Sequence, residues 1–188
     1  MSVAVITPPA ALVSLELAKA HINVDHDDHD ALIAAYIAAA CAHIDGPAGW
    51  LGRAIGAQML ELRSRAFCSS PVTLPYPPIT SITSVKYLDA DGVEQTAGTD
   101  LYTLLSDGRL TLGYGQSWPG TRNFEEAVRI RYAAGYAAVP DPIISAVLLM
   151  VGDLYANRET TAVGTISGEI KMSTTVENLL APYRIWSL

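Results

Sequence analysis

The sequence predicts an α+β fold: a helical bundle core of about four helices that carries an inserted antiparallel β-subdomain. Three observations predict it, because helical and β periodicities occupy separate stretches of the chain. Apolar residues recur at helical spacing within residues 1–56 and again within residues 135–188, whereas they alternate with polar residues in much of 57–134. We therefore expect residues 1–56 to form the N-terminal helices of the core, 57–134 the inserted β-subdomain and 135–188 the C-terminal helices that complete the core.

The first predicted helix begins after Ser14, since serine is a favoured N-cap residue, and runs from Leu15 to about Ile22. A second, alanine-rich helix follows it and ends at the Gly46-Pro47 pair. Its apolar stripe consists of Leu32, Ile33, Tyr36, Ile37, Ala40, Cys41 and Ile44. The second helix therefore presents one apolar face to the core.

A segment rich in aspartate and histidine, residues 25–30, joins these two helices. It suggests a metal site, but the spacing is poor for metal ligands, because His26 and His29 straddle the predicted helix start. Acidic residues are also favoured at a helix N terminus by its partial positive charge. Capping and solvation are therefore the expected roles, and no metal or cofactor is predicted. A metal-dependent hydrolase that uses this cluster stays open as an alternative, with isothermal titration with zinc as its test.

The middle of the chain has the pattern of short antiparallel strands. One strand is expected from Met59 to Phe67 and another from Val128 to Tyr132, because apolar and polar residues alternate there. The turns Asp89–Gly92 and Ser106–Gly108 predict two hairpins, the first with a type I′ turn. Four prolines in residues 71–78 predict short extended pieces at a sheet edge.

Arginines occupy polar positions of the first and last of these strands: Arg63, Arg65, Arg129 and Arg131. If the two strands pair, the arginines would form a basic strip with a role in phosphate binding. The solvated face of a half-buried sheet is the expected interpretation. The formal net charge of -7 also argues against a protein that binds nucleic acid over a broad surface.

The centre of the predicted bundle is a helix from Pro140 to Glu159. Asp141 is expected to cap it, with Pro142 in its first turn, where a missing N–H is harmless. Its first half is so apolar that other elements must surround it. Its predicted core positions are Ile144, Val147, Leu148, Val151, Leu154 and Tyr155.

The end of the chain predicts one more amphipathic helix, preceded by the polar segment 160–174. Pro182 lies inside its apolar pattern, so a kink or an early end is expected. Trp186 and Leu188 then lie at an exposed terminus. Large apolar side chains at such a place either pack back on the core or mark a docking end for a partner.

Motifs of known catalytic classes are not found in the sequence, which has no nucleophile elbow, His-Glu metal helix, Walker loop or dinucleotide fingerprint. Cys41 and Cys68 lack metal spacing and are expected to be free thiols. No signal peptide is recognised, and no apolar run is long enough for a bilayer. The residues alone therefore predict a soluble α+β binding or structural module with no catalytic residues, made in a cytoplasm.

The order of short motifs along the chain adds a family resemblance. The motifs are Leu15–Val24, Asp25–Ile33, Gly52–Ala54, Leu74-Pro75, Tyr87–Asp89, Tyr114–Pro119, Val128–Tyr132, Gly135-Tyr136, Val139–Ile143, Tyr155–Glu159 and Leu179–Arg184. In this order and spacing, the chain from about Leu15 to Trp186 resembles the head–tail connector, or adaptor, proteins of long-tailed phages and gene transfer agents. Two segments depart from the family pattern: the turn Gly46–Gly49 and the long polar segment 160–174.

The resemblance implies a structural ring, normally a dodecamer, docked beneath the portal protein of a capsid. The ring would extend the DNA channel, let DNA pass without specific binding and support a tail-completion or stopper protein. The chain would lie in the neck of the virion after synthesis in the cytoplasm of a bacterial host, with no membrane involved. We expect portal docking by Tyr183, Arg184, Trp186 and Leu188. Another neck or tail virion protein stays open as an alternative.

Overall fold

The protein is described by a computed structural model that covers residues 1–67, 71–157 and 173–186. Its helices are α1 (Leu15–His21), α2 (Asp30–Ile44), α3 (Asp141–Ala156) and α4 (Thr174–Leu180), with a 3-10 turn at Ala181–Tyr183. Its strands are β1 (Ser2–Thr7), β2 (Gln58–Ser64), β3 (Val72–Thr73), β4 (Ile79–Leu88), β5 (Glu94–Thr96), β6 (Tyr102–Leu104), β7 (Arg109–Leu112) and β8 (Val128–Ala134). The predicted α+β class is confirmed. The predictions for Cys68, for Arg158-Glu159, for most of 160–174 and for Leu188 lie outside the described residues.

The chain divides into two compact units. One, the β unit, consists of Met1–Ala10 and Arg53–Ala137, and the other, the helical unit, consists of Ala11–Gly52 and Ala138–Leu188. Residues 53–137 of the β unit thus lie in sequence between the two stretches of the helical unit. None of the helices in the described ranges has the length and apolar character that a membrane-spanning helix requires.

Helix α3 is the centre of the helical unit, where it packs against α1, α2 and α4. Its buried positions are Ile143, Ala146, Val147 and Val151. Of the six predicted core residues, Val147 and Val151 are fully buried, while Ile144, Leu148 and Tyr155 lie half-buried on the flank of this face. The assignment of Leu154 to the core is wrong, because Leu154 lies in the last turn of α3 and is 37% exposed.

The helix starts follow from their flanking residues. Ser14 caps α1 as predicted, since its Oγ accepts a hydrogen bond from the Leu17 N–H at 3.2 Å. Helix α3 differs from the prediction by one residue: Pro140 occupies the cap position without a side-chain hydrogen bond, and Asp141 is the first helical residue. Asp141 still lies in the first turn, where its negative charge favours the helix.

The helix ends also match the breaker residues of the sequence. Helix α2 ends at Ile44, just before the Gly46-Pro47 pair, and buries the Ile33, Ile37, Ala40 and Ile44 positions of its predicted stripe. Helix α4 ends at Leu180, and Pro182 lies in the 3-10 turn that follows. The early end predicted from Pro182 is therefore confirmed.

Two antiparallel sheets form the β unit, with strand orders β1-β2-β8-β4-β5 and β3-β7-β6. Strand β2 pairs with β8 so that Leu60 lies opposite Tyr132 and Leu62 opposite Ile130. These side chains face the core of the unit. Other buried members of this core include Val72, Leu74, Val85, Leu110 and Val128. The alternation that predicted β2 and β8 therefore corresponds to one core-facing and one polar side of each strand.

Strand β1 is a correction to the predicted domain organisation, which placed residues 1–56 with the helices. Residues Ser2–Thr7 instead pair antiparallel with β2, with Val3 opposite Leu62 and Ala4 opposite Glu61. The segment is short, and its central residues are apolar throughout and do not alternate with polar ones. Its register also shifts between Val5 and Thr7. Its partner strand lies beyond two helices, so the local pattern does not identify it.

Both predicted hairpins are present, but the type I′ turn is wrong. Asp89 and Val93 bracket a three-residue loop, in which Gly92, with φ 84°, is the left-handed residue. A type I′ turn has a two-residue loop in which both residues are left-handed. This loop instead has three residues, and the last of them, Gly92, is the left-handed one. The Asp89 carboxylate accepts hydrogen bonds from the Asp91 and Val93 N–H groups. Gly108, with φ 80°, has the same place in the second hairpin.

Glu61 is a carboxylate on the polar side of β2 that is only 2% exposed. Arg63, two residues along β2, donates to one carboxylate oxygen from Nε at 2.8 Å, and Arg131 on β8 donates to the other. Burial raises the pKa of Glu61, but the hydrogen bonds from Arg131 and Arg63 outweigh burial and hold the pKa below its ordinary value. The buried charge is therefore stable only while both arginines contact it.

We expect Glu61→Gln to lower the free energy of unfolding by about 2 kcal/mol at neutral pH, since the two arginines lose a charged acceptor. Because the pKa of Glu61 is lowered from 4.5, this contribution is present above that pH and disappears as the pH falls through the folded-state pKa. Urea unfolding at neutral and acidic pH should show the difference between variant and wild type shrinking in acid. Glu125→Gln is the matched control, because Glu125 is 85% exposed. An effect of equal size for both variants would contradict the argument.

Candidate docking surface

The predicted docking residues lie in and after the 3-10 turn at the end of α4. Tyr183 is the last residue of that turn and is half-buried. Arg184 opens an extended segment, and Trp186 follows with 69% of its surface exposed. Leu188 lies outside the described residues. The structure brings Arg184 and Trp186 together and adds a residue from elsewhere in the helical unit, Trp50.

The guanidinium of Arg184 contacts two indole rings. Its Cζ atom is 4.0 Å from the ring centroid of Trp50 and 4.0 Å from that of Trp186. Both distances are well within the range of cation–π attraction. The planar, weakly hydrated guanidinium can stack on an aromatic ring with each face, which an ammonium group cannot do. We call these three side chains the indole–arginine stack.

The backbone of the same segment is also held. The Ile185 N–H donates a hydrogen bond to the carbonyl oxygen of Leu51 at 2.9 Å. Gly52 has φ +65°, and a Cβ atom there would lie 3.2 Å from the Ile185 carbonyl oxygen. Leu51 itself is fully buried. The segment 184–186 therefore lies against residues 50–52 through its backbone as well as through the stack.

The turn after α2 places Trp50. Gly49 donates its N–H to the Gly46 carbonyl at 3.0 Å, and Trp50 donates to the His43 carbonyl at 2.8 Å, so the chain folds back over the end of α2. The chain passes so close that a Cβ atom on Gly49 would lie 2.5 Å from the backbone N and O of Asp45. The Gly46–Gly49 turn thus positions one half of the stack.

Sequence reasoning did not identify Trp50 as a site residue. The available signal was its position directly after the glycine-containing turn Gly46–Gly49. That signal names no partner, because Arg184 is distant in sequence and only the packing of the helical unit brings the two together. Of the predicted docking set, the stack includes Arg184 and Trp186.

In the structure, side chains of the aspartate–histidine segment, residues 25–30, contact side chains of helices α1 and α3. The Lys19 Nζ atom on α1 lies 2.7 Å from a carboxylate oxygen of Asp27 and 2.7 Å from one of Asp30. These hydrogen bonds raise the pKa of Lys19, and the bond to Lys19 lowers the pKa of Asp27. His29 Nδ1 lies 2.7 Å from the hydroxyl of Tyr155 on α3. Within the described ranges, no three His, Cys, Asp or Glu side chains are grouped so that they could hold a metal ion.

The arginine strip of the β unit is matched by acidic side chains. Strands β2 and β8 do pair, with Arg63 directly opposite Arg129. The ion pairs are Arg63 with Glu61 and Glu126, Arg65 with Glu125, Arg129 with Glu94, and Arg131 with Glu61. A phosphate group would have to displace these carboxylates. The pairing therefore disfavours the phosphate-binding interpretation of the strip.

We expect Gly49→Ala to destabilise the helical unit by about 3 kcal/mol, because the new methyl group would overlap the Asp45 backbone, which cannot move without disturbing the end of α2. Gly120→Ala is the control, since a Cβ atom there meets nothing within 4 Å. Thermal and urea unfolding of both variants measure the difference. If Gly49→Ala were as stable as the control, the close approach would not restrict this turn.

The fold is similar to that of proteins in solved gene transfer agent (GTA) particles. One is from the neck of an empty GTA particle computed with C6 symmetry, with a TM-score of 0.78 and 22% identity over 100% of this chain and 97% of that one. A chain from the virion of a native GTA particle gives a TM-score of 0.76 at 22% identity, with the same coverage. A third, from the neck of a native GTA particle computed with C12 symmetry, gives 0.71 at 24% identity, again with that coverage. At these identities the likeness establishes the fold.

No match is found among curated proteins. The family model for head completion proteins, in contrast, matches residues 11–187, which is nearly the whole chain. The chain therefore belongs to the head completion protein family.

Proposed function

We propose that this head completion protein is an adaptor in the neck of a phage or gene transfer agent particle, where it joins the DNA-filled capsid to the tail. Family membership over residues 11–187 carries the proposal, because it gives the chain a structural role at the junction of head and tail. The full-length likeness to chains from GTA necks supports the position in the virion. The role is geometric and requires no catalytic residue.

The working form is a ring of identical subunits around the DNA channel, with twelve as the expected number. The C12 and C6 symmetries with which the similar necks were computed support a ring. Head-to-tail contacts between identical subunits close into a ring when the rotation between neighbours allows it. Subunits docked side by side on a portal also have a raised effective concentration, so a monomer in solution is consistent with the proposal.

The charge of the chain suits a channel that DNA crosses without adhesion. The formal net charge is -7, and the arginines on β2 and β8 are engaged by glutamates. A chain with this net charge and with these arginines paired would bind DNA weakly by counterion release. The proposed partners are therefore the portal protein on one side and a tail-completion or stopper protein on the other.

Portal docking is assigned to the end of the helical unit around Tyr183, Arg184, Trp186 and Leu188. Trp186 is 69% exposed and Ile185 is 36% exposed, although both are large apolar residues. Exposed apolar side chains beside an arginine are typical of protein interfaces, where tryptophan and arginine contribute most to affinity.

Mass spectrometry of DNA-containing particles from the producing culture tests the proposed position. We expect the chain at about the copy number of the portal protein, because each subunit of the ring docks on one portal subunit. A chain that copurifies at the level of contaminating cytoplasmic proteins would refute the neck assignment and favour the enzyme alternative. A copy number matched to tail proteins instead would favour another virion module.

Deleting residues 183–188 tests the docking assignment. We expect capture by immobilised portal protein to be lost, while far-ultraviolet circular dichroism stays close to that of the wild type, because the four helices and both sheets precede the deletion. Capture that survives the deletion would place portal docking elsewhere on the chain.

A further inference from the structure

We propose that the portal-docking surface is composite: the indole–arginine stack of Trp50, Arg184 and Trp186 binds a carboxylate side chain of the portal protein. This inference rests on the proposed function and adds two elements to it. One is a residue outside the C-terminal segment, Trp50. The other is the chemistry of the group that the portal must present.

The first step concerns what Arg184 can still bind. The Cζ atom of Arg184 lies over both indole rings, 4.0 Å from each centroid. A guanidinium stacked on aromatic rings keeps the N–H donors at the edge of its plane for a ligand. Arg63, Arg65, Arg129 and Arg131 each have a glutamate partner. Arg184 has no carboxylate within salt-bridge distance among the residues that the structure describes. Within the described ranges it is thus a cation without a carboxylate partner, on a chain whose net charge is -7.

The second step identifies the ligand by charge complementarity. A guanidinium edge presents parallel N–H donors, and the group that matches them is a carboxylate with two acceptor oxygens. Trp186 and Ile185, in the same segment as Arg184, are exposed large apolar residues. They would exclude water from the pair in the complex and thereby strengthen it. The expected portal element is therefore an aspartate or glutamate with apolar neighbours.

The third step explains why Trp50 belongs to the surface. The hydrogen bond from Ile185 to Leu51 and the stack hold segment 184–186 in one position before any partner binds. A surface that is already ordered does not lose the conformational entropy that a free tail would lose on docking. Trp50 contributes half of the stack and comes from the turn after α2, so the docking surface depends on the folded helical unit.

The experiment measures the affinity of the full-length chain for the portal protein of the same particle, by biolayer interferometry at two salt concentrations. We expect Trp50→Ala to weaken binding by about tenfold or more, as for a residue at an interface hot spot. Arg184→Lys keeps the charge but loses the planar fork, and we expect a loss of similar size. Wild-type affinity should fall as salt rises, since an ion pair contributes to it. Leu17→Ala, at a 45% exposed position on α1, is the control for surface truncation in the same unit.

The outcomes separate this inference from the proposed function. If the wild type does not bind the portal, portal docking itself is refuted. If the wild type binds and deletion of residues 183–188 abolishes binding, but Trp50→Ala and Arg184→Lys bind like the wild type, the composite surface is refuted and a linear tail docks. Thermal unfolding checks each variant. If Trp50→Ala does not fold, Arg184→Lys tests the proposal instead, because it changes only the headgroup of one side chain. Wild-type affinity of Arg184→Lys for the portal protein would overturn the carboxylate assignment.

Discussion

The pairing of β2 with β8 is the constraint on which the inserted β unit depends. These are the first and last long strands of the insertion, and they lie side by side from Gln58 opposite Ala134 to Ser64 opposite Val128. The pairing continues past the strands, where the Tyr136 N–H donates to the Ile55 carbonyl at 2.9 Å. At Gly135, with φ 119°, a Cβ atom would overlap the Gly56 backbone, so glycine is required there. An insertion whose first and last strands pair brings its entry and exit points together, which lets a helical protein accommodate it.

The same pairing organises the charges. Glu61 becomes buried because β8 carries Arg131 opposite it, while the neighbouring pair places Arg63 opposite Arg129. Two arginines facing each other across strands would repel, and the carboxylates of Glu61, Glu94 and Glu126 offset that repulsion. A strip that looks basic in sequence is thus close to neutral in the fold. The indole–arginine stack is different, because aromatic rings rather than carboxylates surround its cation.

The elements that the sequence predicted are those whose causes are local. Ser14 caps the helix that directly follows it, Pro182 ends the helix that contains it, and Gly92 and Gly108 turn the hairpins on either side. The features that it did not predict depend on residues far apart in the chain. Strand β1 is defined by β2, and Trp50 becomes a site residue only when Arg184 packs against it. A single sequence carries no record of such distant contacts, so periodicity and capping rules do not reach them.

The position of β1 has a consequence for the order of folding during synthesis. Residues 2–7 leave the ribosome well before their hydrogen-bonding partner β2, which begins only at Gln58, after both α1 and α2. The nascent β1 strand, with its apolar Val3 and Val5, therefore has no strand to pair with while the helices that follow it emerge. Those helices form from local contacts in the meantime. Strand β2 in turn meets β8 only once the chain has passed residue 134. The β unit is thus completed late, and until β2 has been made, β1 is a strand that a nascent-chain chaperone can bind.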